Sequence, residues 1–241
     1  MAIGLSIVIP CKNEVDNVAP VARELAGALA GMDAEIIFID DGSTDGTAAA
    51  LAALKGELPM LRVLRHERNA EKSRAVLNGA RAARGEIVVT FDGDGQNDPQ
   101  DIARLIAPFA ADPGKRIGIV AGVRGARRQD TASRKVASRL ANGFRRWMLN
   151  DQATDTACGL KAFRREVLLS LPFFDNYHRY FITLVLREGY EARFVDVNDR
   201  ARMHGVSKYT NFGRAMVGIS DLFGVRWLQR RAKQPAAVRE I

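Results

Sequence analysis

The residues best suited to do chemistry are two carboxylates one residue apart, Asp92 and Asp94. They stand in Phe91-Asp92-Gly93-Asp94-Gly95-Gln96-Asn97-Asp98-Pro99, directly after an apolar run. Oxygen ligands on a short loop suit Mg2+ or Mn2+, ions usually shared between one or two carboxylates and substrate phosphates. A cation held there would neutralise a diphosphate leaving group, as Lewis acid and template. The glycines let backbone and ligand come close. Asp and Gly also make ordinary turns, so the loop alone leaves turn and site both open. A calcium-loop reading fails because no Glu stands twelfth from Asp92.

Two more acidic groups stand where other apolar runs stop. Glu14 closes Pro10-Cys11-Lys12-Asn13-Glu14, and Asp40 and Asp41 open Asp40-Asp41-Gly42-Ser43-Thr44-Asp45-Gly46-Thr47. A carboxylate of the second group suits a base or ribose hydroxyl, and helix N-capping by Ser43, Thr44 or Asp45 is expected beside it. The first turn lacks the Gly-x-Gly-x-x-Gly cradle, which disfavours dinucleotide-dependent dehydrogenases, and no Walker loop is present. Arg134, Lys135, Arg139, Arg145 and Arg146 alternate with small and apolar residues at helical spacing. Their positive face suits a phosphate and anionic headgroups; the plain alternative is a solvated helix face. Arg202 and Lys208 flank Gly205, so a bend brings a guanidinium fork and a point charge over one diphosphate. His66, His178 and His204 have no metal spacing, and neither Cys11 nor Cys158 has an evident base partner, so both thiols read as structural.

The positioning elements follow from periodicity. Strands are expected at Leu5–Pro10, Glu35–Ile39, Leu61–Arg65, Glu86–Phe91, Ile117–Ala121, near Gly159–Phe163 and at Ala192–Val197. Helices are expected over 16–31, 44–55, 72–84 and 177–188. Alternation at these lengths predicts right-handed βαβ units and a mostly parallel central sheet covered on both faces, an α/β three-layer sandwich. Ligands in such sheets bind beyond the carboxyl ends of the strands, where Glu14, Asp40, Asp41, Asp92 and Asp94 all fall.

Composition bounds the rest. The 241 residues are 47% apolar and 27% charged, enough for one globular core, and a formal charge of +8 favours anionic partners. Two cysteines are too few for a disulfide framework, which points to a reducing compartment, the cytoplasm. The first residues run straight into a strand without a signal-peptide pattern, so secretion is not expected. No run of about 18 apolar residues occurs, so membrane contact is expected to be peripheral.

Taken together, Ile7-Val8-Ile9-Pro10 with Asn13-Glu14, then Ile39 to Thr47, then Asp92-Gly93-Asp94-Gly95-Gln96 resemble the family 2 glycosyltransferases with the GT-A fold. Downstream, Asp155-Thr156-Ala157-Cys158-Gly159-Leu160-Lys161-Ala162-Phe163-Arg164-Arg165 and Arg202 to Tyr209 look like its polyprenyl-phosphate branch, typified by dolichol-phosphate mannose synthase. The resemblance reaches to about Trp227. It implies inverting transfer of a sugar from GDP-mannose or a UDP-sugar to a dolichyl or undecaprenyl phosphate. By position, it implies that Pro10, Lys12, Glu14, Ile39 and Asp41 line the nucleotide pocket. Asp92, Gly93, Asp94 and Gln96 would form the donor loop, with Asp92, Asp94 and Gln96 as ligands of Mg2+ or Mn2+. Arg124, Arg202 and Lys208 would surround the donor phosphates, making Asp92, Asp94, Arg202 and Lys208 the catalytic set. Arg134 and Ser138 would hold the acceptor phosphate. Relatives commonly carry an aromatic residue where Lys12 stands and Leu or similar at Gly95, a change expected to alter donor preference and loosen the loop.

The expected organisation is a catalytic domain over 1–211 and an amphipathic helix and tail over 212–241. In the tail, aliphatic and aromatic groups mix with Arg214, Arg226, Arg230 and Arg231. Such a helix suits a membrane interface or packing on protein. Relatives often continue into spanning helices here, so a separate membrane-anchoring protein or a second copy of the chain is a candidate partner, on the cytoplasmic face of a membrane. A lipid phosphate is already ionised and needs no strong general base. A saccharide or protein hydroxyl would need one, for which Asp155 is the candidate. The remaining alternative, a non-catalytic basic module for lipid or nucleic acid, conflicts with three acidic strand ends, so nucleic acid is not an expected partner.

Overall fold

A computed structural model describes residues 4–124, 143–151, 155, 158–203 and 211–232, with residues 211–217 described in backbone only. The first half alternates strictly: β1 (Leu5–Cys11), α1 (Val15–Ala28), β2 (Ala34–Asp40), α2 (Thr47–Glu57), β3 (Leu61–Arg65), α3 (Glu71–Ala82) and β4 (Ile87–Thr90). There follow α4 (Asp101–Ala110), β5 (Ile117–Arg124), helix α5 over 143–149, β6 (Lys161–Arg164), α6 (Arg165–Ser170), a short 3-10 turn (Tyr177–Arg179), α7 (Phe181–Arg187), β7 (Glu191–Val197) and α8 (Asn211–Arg231).

The seven strands form one sheet in the order β3-β2-β1-β4-β6-β5-β7. Pairing is parallel except that β6 runs antiparallel to both neighbours. Alternate side chains of each strand feed opposite faces, as the period of two requires. Ile7 and Ile9 pack with Val18, Val21 and Leu25 of α1, Leu51 of α2, and Ile102 and Leu105 of α4. Val8 and Val88 pack instead with Ala75 and Val76 of α3, Val167 of α6, Leu184 of α7, and Leu222 and Val225 of α8. The result is the expected three-layer α/β sandwich.

The structure departs from the sequence reading in several places, among them the short α6, for which no helix was expected. Helix α4 was not expected, although Ile102, Leu105 and Phe109 give it a buried stripe; Pro99 and Pro108 obscure the pattern. Its first turn is tied to the strand opposite, since the buried Asp101 carboxylate accepts the Asn198 N–H at 2.7 Å. The segment read as one helix over 177–188 is divided at Tyr180 into the 3-10 turn and α7. Arg145, assigned to an outward basic face, turns inward: its guanidinium grips both oxygens of Asp151 at 2.8 and 2.9 Å, and Thr183 donates to the same buried carboxylate.

Candidate active site

Strand order reverses between β1 and β4, so the loops leaving their carboxyl ends diverge and open a crevice there. The loops after β1 and β2 form one wall, stitched backbone to side chain. Asn13 sits in the left-handed region (φ 54°), which its short amide tolerates, and its Oδ1 accepts the Thr44 N–H at 2.9 Å. Ser43 Oγ accepts the Asn13 N–H and Thr47 Oγ1 the Glu14 N–H, each at 2.9 Å. Asp45, not a residue at the cap position itself, satisfies the first turn of α2 by accepting the Thr47 N–H at 2.9 Å. Gly42 (φ 66°) lies where a Cβ would come within 2.7 Å of the Arg68–Asn69 backbone, so this turn excludes every other residue.

The opposite wall is the Asp92–Asp98 loop. Asn97 Oδ1 accepts the Asp92 N–H at 2.9 Å, and Asp94 Oδ1 accepts the Gln96 N–H at 3.1 Å. The segment after β7 runs beside it, with Arg200 N–H on Gln96 O at 3.0 Å and Met203 N–H on Asp94 O at 3.3 Å. Gly95 adopts φ 76°, and the Met203 side chain occupies the space a Cβ would need, so glycine is built into the loop rather than loosening it. Beneath Asp92 lies Gly159, whose Cα face touches the carboxylate so closely that any Cβ would overlap it. Thr90 Oγ1 holds Gly159 O at 2.7 Å, and Lys161 Nζ donates to Cys158 O.

Each loop carboxylate meets a basic side chain from a different segment. Lys72 Nζ lies 2.5 Å from Asp92 Oδ1, and Arg202 lies 2.8 Å from Asp94 Oδ2 and 4.0 Å from Glu14 Oε1. Burial disfavours ionised Asp92, but Lys72, then Lys161 and His178, outweigh it and hold the carboxyl below its usual range. Asp94 goes the other way, raised by burial and by the Asp92 charge. Among the described residues no three His, Cys, Asp or Glu converge on one point. By residue type the loop carries two carboxylates and one amide, Asp92, Asp94 and Gln96, a donor set that would suit a hard cation completing its shell with phosphate and water. Asp94, whose proton affinity burial and the Asp92 charge raise, is a carboxylate whose ionised form a nearby cation would favour.

The structure brings Glu14, Asp94 and Arg202 together and sets Asp92 beside Asp94. Lys12 is exposed at the rim and Pro10 is partly buried at the end of β1. Gly93 lies against Pro10 O and Cys11 Cβ, linking the loop to that strand. Two expected pocket residues are engaged by the protein itself. Ile39 is fully buried with its side chain against Gly79 of α3, and Asp41 Oδ1 is committed to His66 Nδ1 and the Ala70 N–H, each at 2.7 Å. Arg124 is paired with Asp155 through two hydrogen bonds of 2.7 and 3.0 Å and lies 4.0 Å from Asp199. Burial opposes the Asp155 charge, and the guanidinium more than offsets it, leaving a weak base. Burial raises both thiols, Cys11 most, with Asp40 and Glu14 adding to it, so neither is a nucleophile. Arg134, Ser138, His204 and Lys208 lie outside the described residues. The residues the sequence reading missed are Lys72, Gly159, Lys161 and His178. Lys161 was visible inside the quoted downstream run, whereas nothing in the spacing ties Lys72 to Asp92.

A mostly parallel sheet, covered on both faces and opening at its strand-order reversal onto an acidic loop beside arginine, defines an α/β protein with a crevice suited to anionic phosphate ligands. The chain belongs to glycosyl transferase family 2, whose family model matches residues 6–171. Dodecaprenyl-phosphate galacturonate synthase of Rhizobium johnstonii is 30% identical over 239 residues, covering 97% of this chain and 70% of that protein. Undecaprenyl-phosphate 4-deoxy-4-formamido-L-arabinose transferase of Enterobacter sp. (strain 638) is 34% identical over 210 residues, covering 86% and 62% respectively. The chain thus spans under two thirds of the length of the latter relative. Among solved structures, glucosyl-3-phosphoglycerate synthase of Mycobacterium tuberculosis with bound UDP superposes with a TM-score of 0.70 at 23% identity, covering 98% of this chain and 82% of that one. A mannosyltransferase of Pyrobaculum calidifontis, solved with GDP-Man and Mn2+, gives 0.66 at 21%, covering 98% and 66%. These likenesses establish the GT-A fold.

Proposed function

We propose that this chain transfers a sugar, with inversion, from a nucleotide-diphosphate donor to a polyprenyl phosphate. The observation that carries this reading is the meeting of Arg202 with Asp94 and Glu14 where β1 and β4 part. It sets a guanidinium fork beside a cation loop, the combination a departing diphosphate requires. Asp92, Asp94 and Gln96 would hold Mg2+ or Mn2+, which supplies charge neutralisation of the leaving group. Arg202, with Lys208, takes up the negative charge that develops on the departing phosphate. The acceptor oxygen attacks the anomeric carbon from the opposite side.

The pairing of Asp155 with Arg124 bears on the acceptor. A sugar or protein hydroxyl needs a base, and a carboxylate locked in a two-point ion pair is a poor one, whereas a lipid phosphate arrives ionised. The relatives named above carry polyprenyl phosphates in their names. Arg134 and Ser138 are the proposed acceptor-phosphate contacts. Residues 1–211 are the proposed catalytic unit and 212–241 a membrane-facing helix and tail, with the protein on the cytoplasmic face of the membrane. No helix among the described residues is long and apolar enough to cross a membrane.

The test incubates radiolabelled nucleotide sugars and Mn2+ with undecaprenyl phosphate in detergent. Label passing into organic solvent supports the proposal. Label that stays aqueous with every donor, while appearing on added saccharide or protein, overturns the acceptor assignment.

A further inference from the structure

In this crevice Asp92 meets an ammonium group from outside its loop. Lys72 stands in the first turn of α3, and its Nζ makes a 2.5 Å ion pair with Asp92 Oδ1. The approach is built into the backbone. Glu71, directly before it, has φ 66°, a region a glutamate seldom occupies, and Asn69 Nδ2 holds the Glu71 carboxylate at 2.7 Å. Ser73, directly after it, is buried and bonded to His178 Nδ1 at 2.7 Å, so the turn is pinned on both sides. Gly159 leaves the carboxylate no room to retreat. The other nearby ammonium, Lys161, is buried and donates to Cys158 O. Lys72 is about one third exposed, and its four-carbon stem is long enough to carry the ammonium towards a ligand in the crevice.

We propose that Lys72 is a positioning residue that stands in for a cation at Asp92 in the donor-free protein. It passes to an anionic phosphate of the nucleoside diphosphate when the donor enters. Uptake of the divalent ion is thereby made conditional on the donor. This rests on the reading of Asp92 and Asp94 as the metal loop. The physical basis is competition: a divalent ion arriving alone at Asp92 meets the charge of the ammonium already on Oδ1, so it binds against that repulsion or displaces Lys72. A diphosphate offers the ammonium another anionic partner, and by linkage whatever draws Lys72 away strengthens the ion's site.

The experiment is calorimetric titration of MnCl2 into the nucleotide-free protein and into Lys72→Gln, with thermal melting to verify folding. The variant is expected to bind Mn2+ about fivefold more tightly than the wild type, a modest factor because the pair is partly exposed. Lys72→Arg, which keeps the charge, is expected to bind like the wild type. With saturating UDP or GDP present the wild type and Lys72→Gln are expected to converge. Equal or weaker Mn2+ binding by Lys72→Gln, with the wild type binding measurably, overturns the Lys72 proposal and leaves the metal loop standing. No Mn2+ uptake by any form overturns both. If Lys72→Gln does not fold, Lys72→Met, which matches the stem in length, takes its place under the same criteria.

Discussion

Gly159 carries no functional group, yet it decides where the Asp92 carboxylate can lie. Its Cα face forms the floor beneath Asp92, and any Cβ would fall inside that carboxylate. Gly159→Ala should therefore push Asp92 off Lys72 and out of register with Asp94. A shift of roughly an ångström at a reacting centre costs on the order of 100-fold in rate. Overpacking at the same place costs about 1–3 kcal/mol of stability. Steady-state assays with thermal melts check both, and a fully active Gly159→Ala protein would show that Asp92 is free to move. Asp94→Ala provides the contrast. It removes a carboxylate whose proton affinity is already raised, so turnover should vanish while the melting point holds or rises.

At the scale of elements, α3 and the 3-10 turn bind the crevice to the α-helical layer. His178, on that turn, is pushed well below the ordinary histidine range by burial, then by Lys72, Arg179 and Lys161. The unfolded chain protonates this imidazole below about pH 6.5 and the folded chain does not. Stability is thus complete above that pH and falls as pH drops below it, by up to about 1.4 kcal/mol per pH unit until the folded group titrates. The lowered carboxyls of Asp92 and Asp155 lose their contribution only in the more acid carboxylate range, so they do not oppose the histidine's loss between pH 6.5 and 5.5. His178→Asn, which can still bond Ser73, should flatten the melting-point change across that window; an unaltered slope would assign it elsewhere. Glu71→Gly, at φ 66°, should stabilise by about 0.5–1 kcal/mol, the left-handed cost of a side chain set against the entropy of glycine. The alternating first half of the fold was legible because buried parallel strands read as apolar runs between helical periods, and acidic strand ends stood out for the same reason. Strand direction at β6 was not, since a short apolar segment carries no sign of which way it runs. Nor were the Lys72–Asp92 and Arg124–Asp155 pairs, which close only when distant segments pack.

For the whole molecule, the open question in the sequence was whether the C-terminal helix packs on protein or faces lipid; α8 packs one face on the core and leaves the other exposed. Leu222 and Val225 are buried in the core, Tyr180 Oη donates to Gly218 O at 3.1 Å, and Gln229 Nε2 donates to Leu149 O of α5 at 2.8 Å. Its outer side presents Ile219, Phe223 and Trp227 at intervals of four, half to three-fifths exposed, with Arg226, Arg230 and Arg231 nearby. Phe144 and the 77% exposed Trp147 project from α5, the helix that α8 touches. Aromatic and aliphatic groups seated among arginines suit the headgroup boundary of an anionic bilayer, where a lipid-linked acceptor would be met. Solvent-facing substitutions here should leave stability within about 0.5 kcal/mol. Removing two large apolar groups from the bilayer side should cost about 1.5 kcal/mol or more apiece. Phe223→Ser with Trp227→Ser is therefore expected to lower flotation with vesicles of phosphatidylcholine and phosphatidylglycerol at least about tenfold, with an unchanged melting point and unchanged turnover on a short, water-soluble acceptor. Equal flotation of variant and wild type would place the outer face of α8 against protein instead.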